Sequence, residues 1–224
     1  MLVVKAKPFR KPGLNSPQTM ADMTIADESG YHEGAVMKAQ SRMQDHESAA
    51  LKAQSANREG GMEEDMFREM RRKKQQLGEE ECLSILDGAT SGILSVLGDD
   101  GYPYGVPLSF ARVGATLVFH SAAVGHKIDA VRAHPKASFT VVAQDDVVPS
   151  EYNTHFRSVI TFGQVRIVED RDEKMALLRS LGERYWPGHD DELEAEIAPR
   201  FDHMHVLAFE IEHLTGKQSL ALMQ

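Results

Sequence analysis

The side chains best suited to bind a charged ligand lie close together in residues 119–127, Phe-His-Ser-Ala-Ala-Val-Gly-His-Lys. This stretch passes from the apolar end of a predicted strand, through small residues, into the start of a predicted helix. A helix amino terminus presents unpaired backbone N–H groups and partial positive charge, and Ser121, His126 and Lys127 add side-chain donors. Such donors suit a phosphate monoester. The same residues allow a simpler interpretation, in which Gly125 only ends the strand and the two basic residues are solvated.

Two strands joined by a tight turn precede this stretch. Residues 91–97 are rich in apolar side chains, residues 98–101 are Gly-Asp-Asp-Gly, and a second strand is predicted over residues 102–110. Pro103 and Pro107 cannot donate hydrogen bonds to a sheet ladder. The second strand is therefore expected to be an edge strand, or to carry irregular backbone that faces a ligand.

The rest of the pattern indicates a mainly β fold with peripheral helices. A turn at residues 112–115 leads into a third strand, and an irregular loop is expected between the fourth and fifth strands. The further strands are predicted at residues 116–121, 137–142, 158–168 and 205–211, and the helices at 77–86, 125–132, 174–185 and 191–197. Six strands with few helices favour a barrel, because closing a sheet removes its exposed edges.

The chain is expected to contain one folded domain and an appendage. Its 224 residues, 42% of them apolar, suffice for one substantial core. Residues 1–61 are rich in Ser, Gln, Ala and Pro without a sustained apolar stripe, so we expect a disordered or weakly helical leader, or a tag-like extension. A partner-binding tail is the alternative. The domain is assigned to residues 62–224.

Charge and composition limit the possible partners. The formal net charge is −9, and residues 62–224 hold 27 Asp and Glu against 17 Lys and Arg, which argues against nucleic acid as a partner. Cys82 is the only cysteine, and no apolar run approaches the ~20 residues that span a bilayer. No secretory signal is visible. We expect a cytoplasmic protein that binds neither nucleic acid nor membrane.

Histidines near the carboxyl terminus do not predict a metal site. His203 and His205 would lie on one face of a strand, with His213 further along. No nearby residues supply the rest of a ligand set. We therefore expect no bound metal.

Four ordered motifs resemble those of one protein family. They are GDDGYPYGVPLS at residues 98–109, FHSxxxGHKIDA at 119–130, FRSVIxFG at 156–163 and LTGKQ at 214–218. Over about residues 68–220 the chain resembles the pyridoxamine phosphate oxidase-like flavoproteins, and within them the nitroimidazole-resistance (Nim) group. The resemblance implies a six-stranded antiparallel split β-barrel that forms a homodimer and holds FMN in clefts between the subunits. A single barrel would offer only half of such a cleft.

The resemblance also implies roles for particular residues. The FMN phosphate would lie near Ser121, Gly125, His126 and Lys127, and the isoalloxazine ring would lie along a strand segment that offers main-chain groups. Arg157 and Ser158 would reach the site from the partner subunit, although an ion-pair role for Arg157 is the alternative. The ring-lining residues are Val106, Pro107, Leu108 and Ser109.

Two more residues of the implied site are His120 and Trp186. His120 matches the histidine beside the flavin in Nim proteins, so it is the candidate catalytic residue and also contacts the cofactor; the alternative is a satisfied histidine at a barrel rim. Trp186 would cover a ring, or would be core at a helix end together with Tyr185.

The implied activity is a flavin-dependent oxidoreductase. Electrons would pass from a nicotinamide nucleotide, or another donor, to a small planar electrophile such as a nitroimidazole, with His120 donating a hydrogen bond or a proton. Two alternatives stay open: a non-catalytic flavin carrier or sensor, and a split-barrel protein that binds haem or a deazaflavin. Pyridoxamine phosphate oxidation is disfavoured, because Lys217 stands nearly alone as a basic residue near the carboxyl terminus.

Overall fold

The computed structural model describes residues 66–223, which form one seven-stranded antiparallel sheet with helices around it. The predicted leader and the domain boundary at residue 62 lie outside the described residues. The strand order is β2-β1-β5-β6-β7-β4-β3. The strands are β1 (Ser91–Leu97), β2 (Pro103–Ser109), β3 (Ala111–Val113), β4 (Thr116–Ala122), β5 (Lys136–Val148), β6 (Asn153–Ile167) and β7 (Met204–Gln218). The helices are α1 (Glu79–Gly88), α2 (His126–Ala133), α3 (Arg171–Tyr185) and α4 (Asp190–Ile197).

The mainly β fold class is confirmed, and the sheet curls until its two edges meet. β2 and β3 lie at opposite edges of the sheet, yet only Phe110 separates them in the chain. The sheet must therefore bend round to bring its edges together. β3 is an additional strand of three residues, and it forms because the hairpin turn at Gly114 is tighter than the predicted turn over residues 112–115. β2 is an edge strand, as its prolines predict.

Two hydrophobic cores fix this shape. The first fills the curl of the sheet and is closed at its two ends by α1 and α2; fully buried members are Leu86, Leu94, Phe110, Phe119, Ile128, Phe139 and Phe209. The second lies on the outer face of β4 and β7, beneath α3 and α4, and includes Val118, Leu177, Leu178, Ile197, Val206 and Ala208. β4 contributes to both cores because successive side chains point to opposite faces.

The helix predicted from residue 174 begins earlier, at Arg171. The side chain of Asp170 accepts hydrogen bonds from the backbone N–H groups of Asp172 and Glu173, which caps the helix one turn before its first apolar residues. None of the helices in residues 66–223 is long and apolar enough to cross a membrane.

The predicted irregular loop between the fourth and fifth strands is wrong. β5 and β6 continue as a ladder to Val148 and Asn153, and a short turn that ends at Tyr152 joins them. A bulge between Val142 and Gln144 interrupts the alternation of β5, so the strand pattern is not visible in the sequence. We call residues 145–156 the arm.

Candidate functional site

An opening remains where the two edges of the sheet meet. The first half of β4 is sealed, because Val118 pairs with Ala111 of β3 on one side and with Ala208 of β7 on the other. From Phe119 onward β4 pairs only with β7 within residues 66–223. β2 pairs only with β1 among the described strands, so its free edge faces the free half of β4. We call this opening, between β2 and residues 119–122, the slit.

Contacts at both ends close the slit. At one end Phe110 is fully buried, and the Tyr185 hydroxyl accepts a hydrogen bond from its N–H at 3.1 Å. The same hydroxyl lies 2.8 Å from the Phe110 carbonyl oxygen and 2.6 Å from that of Thr90. At the other end the ring of Tyr104 stacks on that of His126, with centroids 4.2 Å apart.

The free edge of β2 turns backbone polar groups into the slit. The Gly98 N–H donates to the Tyr102 carbonyl at 2.8 Å, and in an antiparallel ladder every second residue of a strand bonds to the same neighbour. The even-numbered residues of β2 therefore bond to β1. Gly105 and Ser109 direct both their N–H and their C=O groups away from β1. Pro103 and Pro107, at equivalent positions, direct only their carbonyl groups there.

β4, the opposite wall of the slit, also directs backbone polar groups into it. The Ile211 N–H donates to the Ala115 carbonyl at 3.0 Å, so the odd-numbered residues of β4 bond to β7. His120 and Ala122 therefore direct their backbone groups toward the slit. A planar heterocycle with polar edge atoms can meet donors and acceptors on both walls.

The four residues predicted to line a ring lie along this edge. Pro107 and Ser109 point to the exposed outer face, whereas Val106 and Leu108 point inward and are half-buried. The structure thus brings together β2 and the residues 119–127 segment, which are separate in the sequence.

The end of the slit at α2 holds both cations and carboxylates: Asp99 lies 3.6 Å from the His126 ring, and Asp129 lies 4.0 Å from Arg132. Gly125 has φ 129° and ψ 166°, a conformation almost exclusive to glycine, and this turns the chain from β4 into α2. Lys127, in the first turn, is half-buried and makes no hydrogen bond or ion pair with any of residues 66–223. The His126 ring instead contacts Tyr104, and its Nε2 atom lies 3.4 Å from the Asp99 backbone nitrogen. Ser121 is buried, and its hydroxyl donates to the Ala122 carbonyl at 3.0 Å.

Two basic residues near this end, Arg132 and His205, were not predicted from the sequence to belong to the site. The guanidinium of Arg132 lies 3.4 Å from the Nε2 atom of His205, which pairs with Ser121 across the sheet. Burial, with smaller contributions from Arg132 and Lys174, lowers the pKa of His205. Arg132 is visible in the sequence as a cation on the same helix as Lys127, but the contact of His205 depends on the β4–β7 register, which a single sequence does not reveal.

His120 lies on the rim of the slit. It is half-buried and points to the outer face of β4, as Val118 does. Continuing the β3–β4 register past Phe110 would place Ser109 opposite His120. Burial lowers the pKa of His120, and the nearby Lys127 ammonium lowers it further. The imidazole is therefore mostly neutral near pH 7.

The remaining predicted residues lie apart from these. Arg157 and Ser158 are on β6, which β1 and β5 separate from β2, and the Arg157 Nε donates to Gln218 at 3.2 Å. They do not reach the slit of their own chain. Trp186 directly follows Tyr185, so it lies near the Phe110 end; its ring is 57% exposed and stacks on His189 at 3.9 Å.

The carboxyl-terminal histidines are separated. His203 ends a 3-10 segment, His205 faces Arg132, and His213 stacks on Phe67 with centroids 4.6 Å apart. Within residues 66–223 no group of three or more His, Cys, Asp or Glu side chains could hold a metal ion.

Comparison with known proteins gives one family and several similar structures. The family model described as pyridoxamine 5'-phosphate oxidase matches residues 78–218. An FAD and heme binding protein from Mycobacterium smegmatis is 27% identical, with a TM-score of 0.58 over 65% of this chain and 74% of that one. The flavocytochrome Anf3 from Azotobacter vinelandii is 22% identical, with a TM-score of 0.61 over 69% of this chain and 74% of that one. A proposed 5-nitroimidazole antibiotic resistance protein from Bacteroides thetaiotaomicron is 22% identical, with a TM-score of 0.54 over 64% of this chain and 86% of that one. No curated protein sequence matches the chain.

Proposed function

Because the chain belongs to the pyridoxamine 5'-phosphate oxidase family, we propose that it binds the flavin nucleotide FMN in the slit and acts as a flavin-dependent oxidoreductase. One observation carries this proposal: two unpaired strand edges converge on a helix amino terminus that holds a half-buried lysine without a partner in residues 66–223. Backbone groups on both walls suit the polar edge of a planar ring system. The α2 end suits an anion, because unpaired N–H groups and cationic side chains favour a phosphate there.

The charges at the α2 end favour FMN over FAD. FMN ends in a phosphate monoester, which concentrates close to two negative charges on one terminal group near pH 7, whereas FAD divides two charges between its two linked phosphates. Lys127 on α2 complements such a group without a competing ion pair in residues 66–223, and Arg132, 4.0 Å from Asp129, adds a second cation nearby. The similar protein from Mycobacterium smegmatis, whose name gives FAD and heme as ligands, supports a flavin in this fold but leaves the nucleotide to be tested.

A second copy of the chain would complete the site. The outer face of the sheet carries exposed apolar side chains on three adjacent strands: Ile93, Val142, Ile160 and Phe162, which are 37–61% exposed. Ser138, Thr140 and Ser158 alternate with them on this face, but a monomer rarely leaves four large apolar side chains so close together in water. Pairing two such faces about a twofold axis would bury them, and would shield a ring in the slit that one barrel leaves open. In this dimer Arg157 and Ser158 approach the partner's slit.

When bound, the flavin supplies the electron transfer, and the chain supplies position and solvent exclusion. We propose that a nicotinamide nucleotide is oxidised while a small planar electrophile, for example a nitroimidazole, is reduced. His120, on the rim of the slit, would orient the acceptor by donating a hydrogen bond from its neutral imidazole. Trp186 would cover the ring from the Phe110 end.

Haem binding is a second candidate function. His120 is half-buried at an opening, and its lowered pKa keeps the imidazole in the neutral form that ligates iron. Haem would leave Lys127 and Arg132 without a phosphate to bind, so FMN is favoured.

The deciding experiment is an absorbance spectrum of the purified protein before and after addition of FMN, with the released chromophore identified by mass. Flavin bands at one FMN per chain support the proposal, and nicotinamide-linked reduction of nitroimidazoles then tests the activity. A Soret band would favour haem, and a released FAD would correct the nucleotide. A colourless protein that does not bind FMN would exclude the proposal.

A further inference from the structure

The slit is held differently at its two ends. At the Phe110 end the chain itself joins β2 to β3, and the Tyr185 hydroxyl contacts the bend. At the α2 end β2 pairs only with β1, and residues 119–122 pair only with β7, among the strands of residues 66–223. No backbone ladder sets the distance between the two walls at this end, so side-chain contacts have to set it.

His126 connects the two walls. It is the first residue of α2, which follows β4 along the chain. Its ring stacks on the Tyr104 ring of β2, with centroids 4.2 Å apart and an angle of 14° between the planes. Its Nε2 atom lies 3.4 Å from the backbone nitrogen of Asp99, in the turn between β1 and β2. Within residues 66–223, no residue other than His126 makes a hydrogen bond, ion pair or ring contact between residues 119–133 and β2 or this turn.

Both sides of this contact are anchored. Tyr104 faces inward, is half-buried and packs against the first core. The His126 ring lies so close to Gly98 that a Cβ atom there would be 3.0 Å from Nε2 and 3.1 Å from the Tyr102 carbonyl oxygen. The ring therefore occupies space that a glycine at position 98 leaves free. Any shift of α2 relative to β2 would separate the stacked rings, so the contact resists such a shift.

The same contacts make His126 a poor ligand for a phosphate. The Asp99 N–H points at Nε2, and a neutral ring nitrogen that accepts a hydrogen bond carries no proton to donate. The Asp99 carboxylate, 3.6 Å from the same atom, would repel an anion placed there. Lys127, the next residue, is half-buried and makes no hydrogen bond or ion pair in residues 66–223. The two neighbouring side chains are therefore suited to different tasks.

We propose that His126 is a positioning residue, which holds β2 and the turn before it against α2 and so sets the width of the slit at this end, and that it does not bind the phosphate. This rests on the flavin site of the proposed function. Without the contact, a smaller fraction of chains holds the two walls at the binding distance. The affinity for any flavin then falls in proportion to that fraction, whether or not the flavin carries a phosphate.

Flavin affinities separate a positioning role from a phosphate-binding role. His126→Ala should weaken the binding of FMN and of riboflavin by the same factor, about threefold to tenfold, because one aromatic pair is lost. His126→Phe keeps a ring for the stack without ring nitrogens, and it should bind both flavins within about twofold of the wild type. Titration of flavin fluorescence measures these affinities. A loss confined to FMN, in either variant, would overturn the proposal and make His126 a phosphate ligand.

A double variant tests whether His126 acts through Tyr104. Tyr104→Leu keeps an apolar side chain on the core and removes the ring, so it should also weaken both flavins equally. Adding His126→Ala to Tyr104→Leu should cost no more than about a further twofold, because the two side chains form one contact. Tyr102→Leu removes a ring from the same hairpin at a position that is 73% exposed, and it should bind as the wild type does. Losses that multiply in the double variant would overturn the proposal.

Hydrogen exchange in the flavin-free protein tests the contact without a ligand. The backbone N–H groups of Tyr104 and Val106 bond to β1, so they report on how often β2 opens. In His126→Ala they should exchange about threefold to tenfold faster than in the wild type, whereas in His126→Phe their rates should be unchanged. The N–H groups of Val159 and Thr161, on the central strand β6, are the internal reference. Equal rates in His126→Ala and the wild type would overturn the proposal.

The two measurements together distinguish this proposal from that of flavin binding. If exchange at β2 is faster in His126→Ala but the wild type binds neither flavin, His126 holds the walls together and the flavin proposal fails. If the wild type binds FMN and His126→Ala matches it in both affinity and exchange, the flavin proposal stands and the positioning role of His126 fails.

Discussion

The two halves of β4 have opposite surroundings although they form one strand. Thr116 to Val118 pair with strands on both sides, whereas residues 119–122 pair with β7 alone in the part of the chain that the structure describes. Both halves contribute buried side chains, for example Leu117 and Phe119. The difference arises outside β4: Phe110 bends the chain out of pairing, and Pro103 and Pro107 withhold donors from the facing edge. A ligand site on β4 would therefore require only that the backbone pairing with β3 ends, while the side chains beneath continue to pack in the core.

The largest expected effect is a loss of stability at Phe110, where the chain bends between β2 and β3. Phe110→Ala removes a fully buried ring between Phe119 and Phe139, so the free energy of unfolding should fall by about 3–5 kcal/mol. Urea denaturation measures this change. Val124→Ala, at a site 81% exposed, is the control and should change stability by less than about 0.5 kcal/mol. Equal losses in the two variants would show that packing at Phe110 does not hold the sealed half.

A substitution beside the unpaired half of β4 should change FMN affinity rather than stability. Lys127→Ala should weaken FMN binding by roughly 1.5–3 kcal/mol, about 10- to 150-fold, because a charged hydrogen bond to the phosphate is lost. Riboflavin, which has no phosphate, should bind both proteins equally. Titration of flavin fluorescence measures both affinities. Lys136→Ala, an exposed lysine at the start of β5, should bind FMN as the wild type does. A loss that is equal for riboflavin would rule out Lys127 as a phosphate ligand.

The boundary between the paired and unpaired halves of β4 depends on the hydroxyl of Tyr185. Tyr185→Phe leaves the Phe110 N–H without its acceptor and removes the single O–H donor that lies between the Thr90 and Phe110 carbonyls, so we expect a loss of about 1–3 kcal/mol in thermal or urea unfolding. Tyr152→Phe removes the same group from a fully exposed ring and should have no measurable effect. If the two variants are equally stable, the hydroxyl does not hold the bend.

The smallest expected effect is on the pH dependence of thermal stability. Burial and Lys127 lower the pKa of His120 below its ordinary 6.5, so the unfolded chain takes up this proton first as the pH falls. The resulting stability is fully present above pH 6.5 and is lost as the pH falls through the lowered pKa. Between about pH 7.5 and about pH 5.5 the Tm of His120→Gln should therefore decrease less than that of the wild type. His134→Gln, at an exposed histidine, should follow the wild type. A parallel decrease in all three would contradict this.

The sequence contains enough to predict the fold class and the edge position of β2. Strand alternation, the Gly-Asp-Asp-Gly turn and the two prolines act locally, so their effects can be recognised without knowing the partners of each strand. The helix at α2 is also local, because Gly125 begins it and Pro135 follows it closely.

What the sequence does not show is which distant groups meet. The arm was missed because the bulge after Val142 breaks the alternation and two aspartates follow it. The stacking of Tyr104 on His126 and the contact of Arg132 with His205 depend on the curl of the sheet. The roles of His120, Lys127, Arg157 and Trp186 in the proposed site remain predictions.

The two prolines of β2 also have a consequence for the life of the protein in a crowded cell. An open strand edge can recruit the edge of another molecule and start aggregation. Pro103 and Pro107 remove two of the donors that such recruitment needs, while their carbonyl groups stay available. A newly synthesised chain can thus leave this strand edge unpaired without offering a full template for polymerisation.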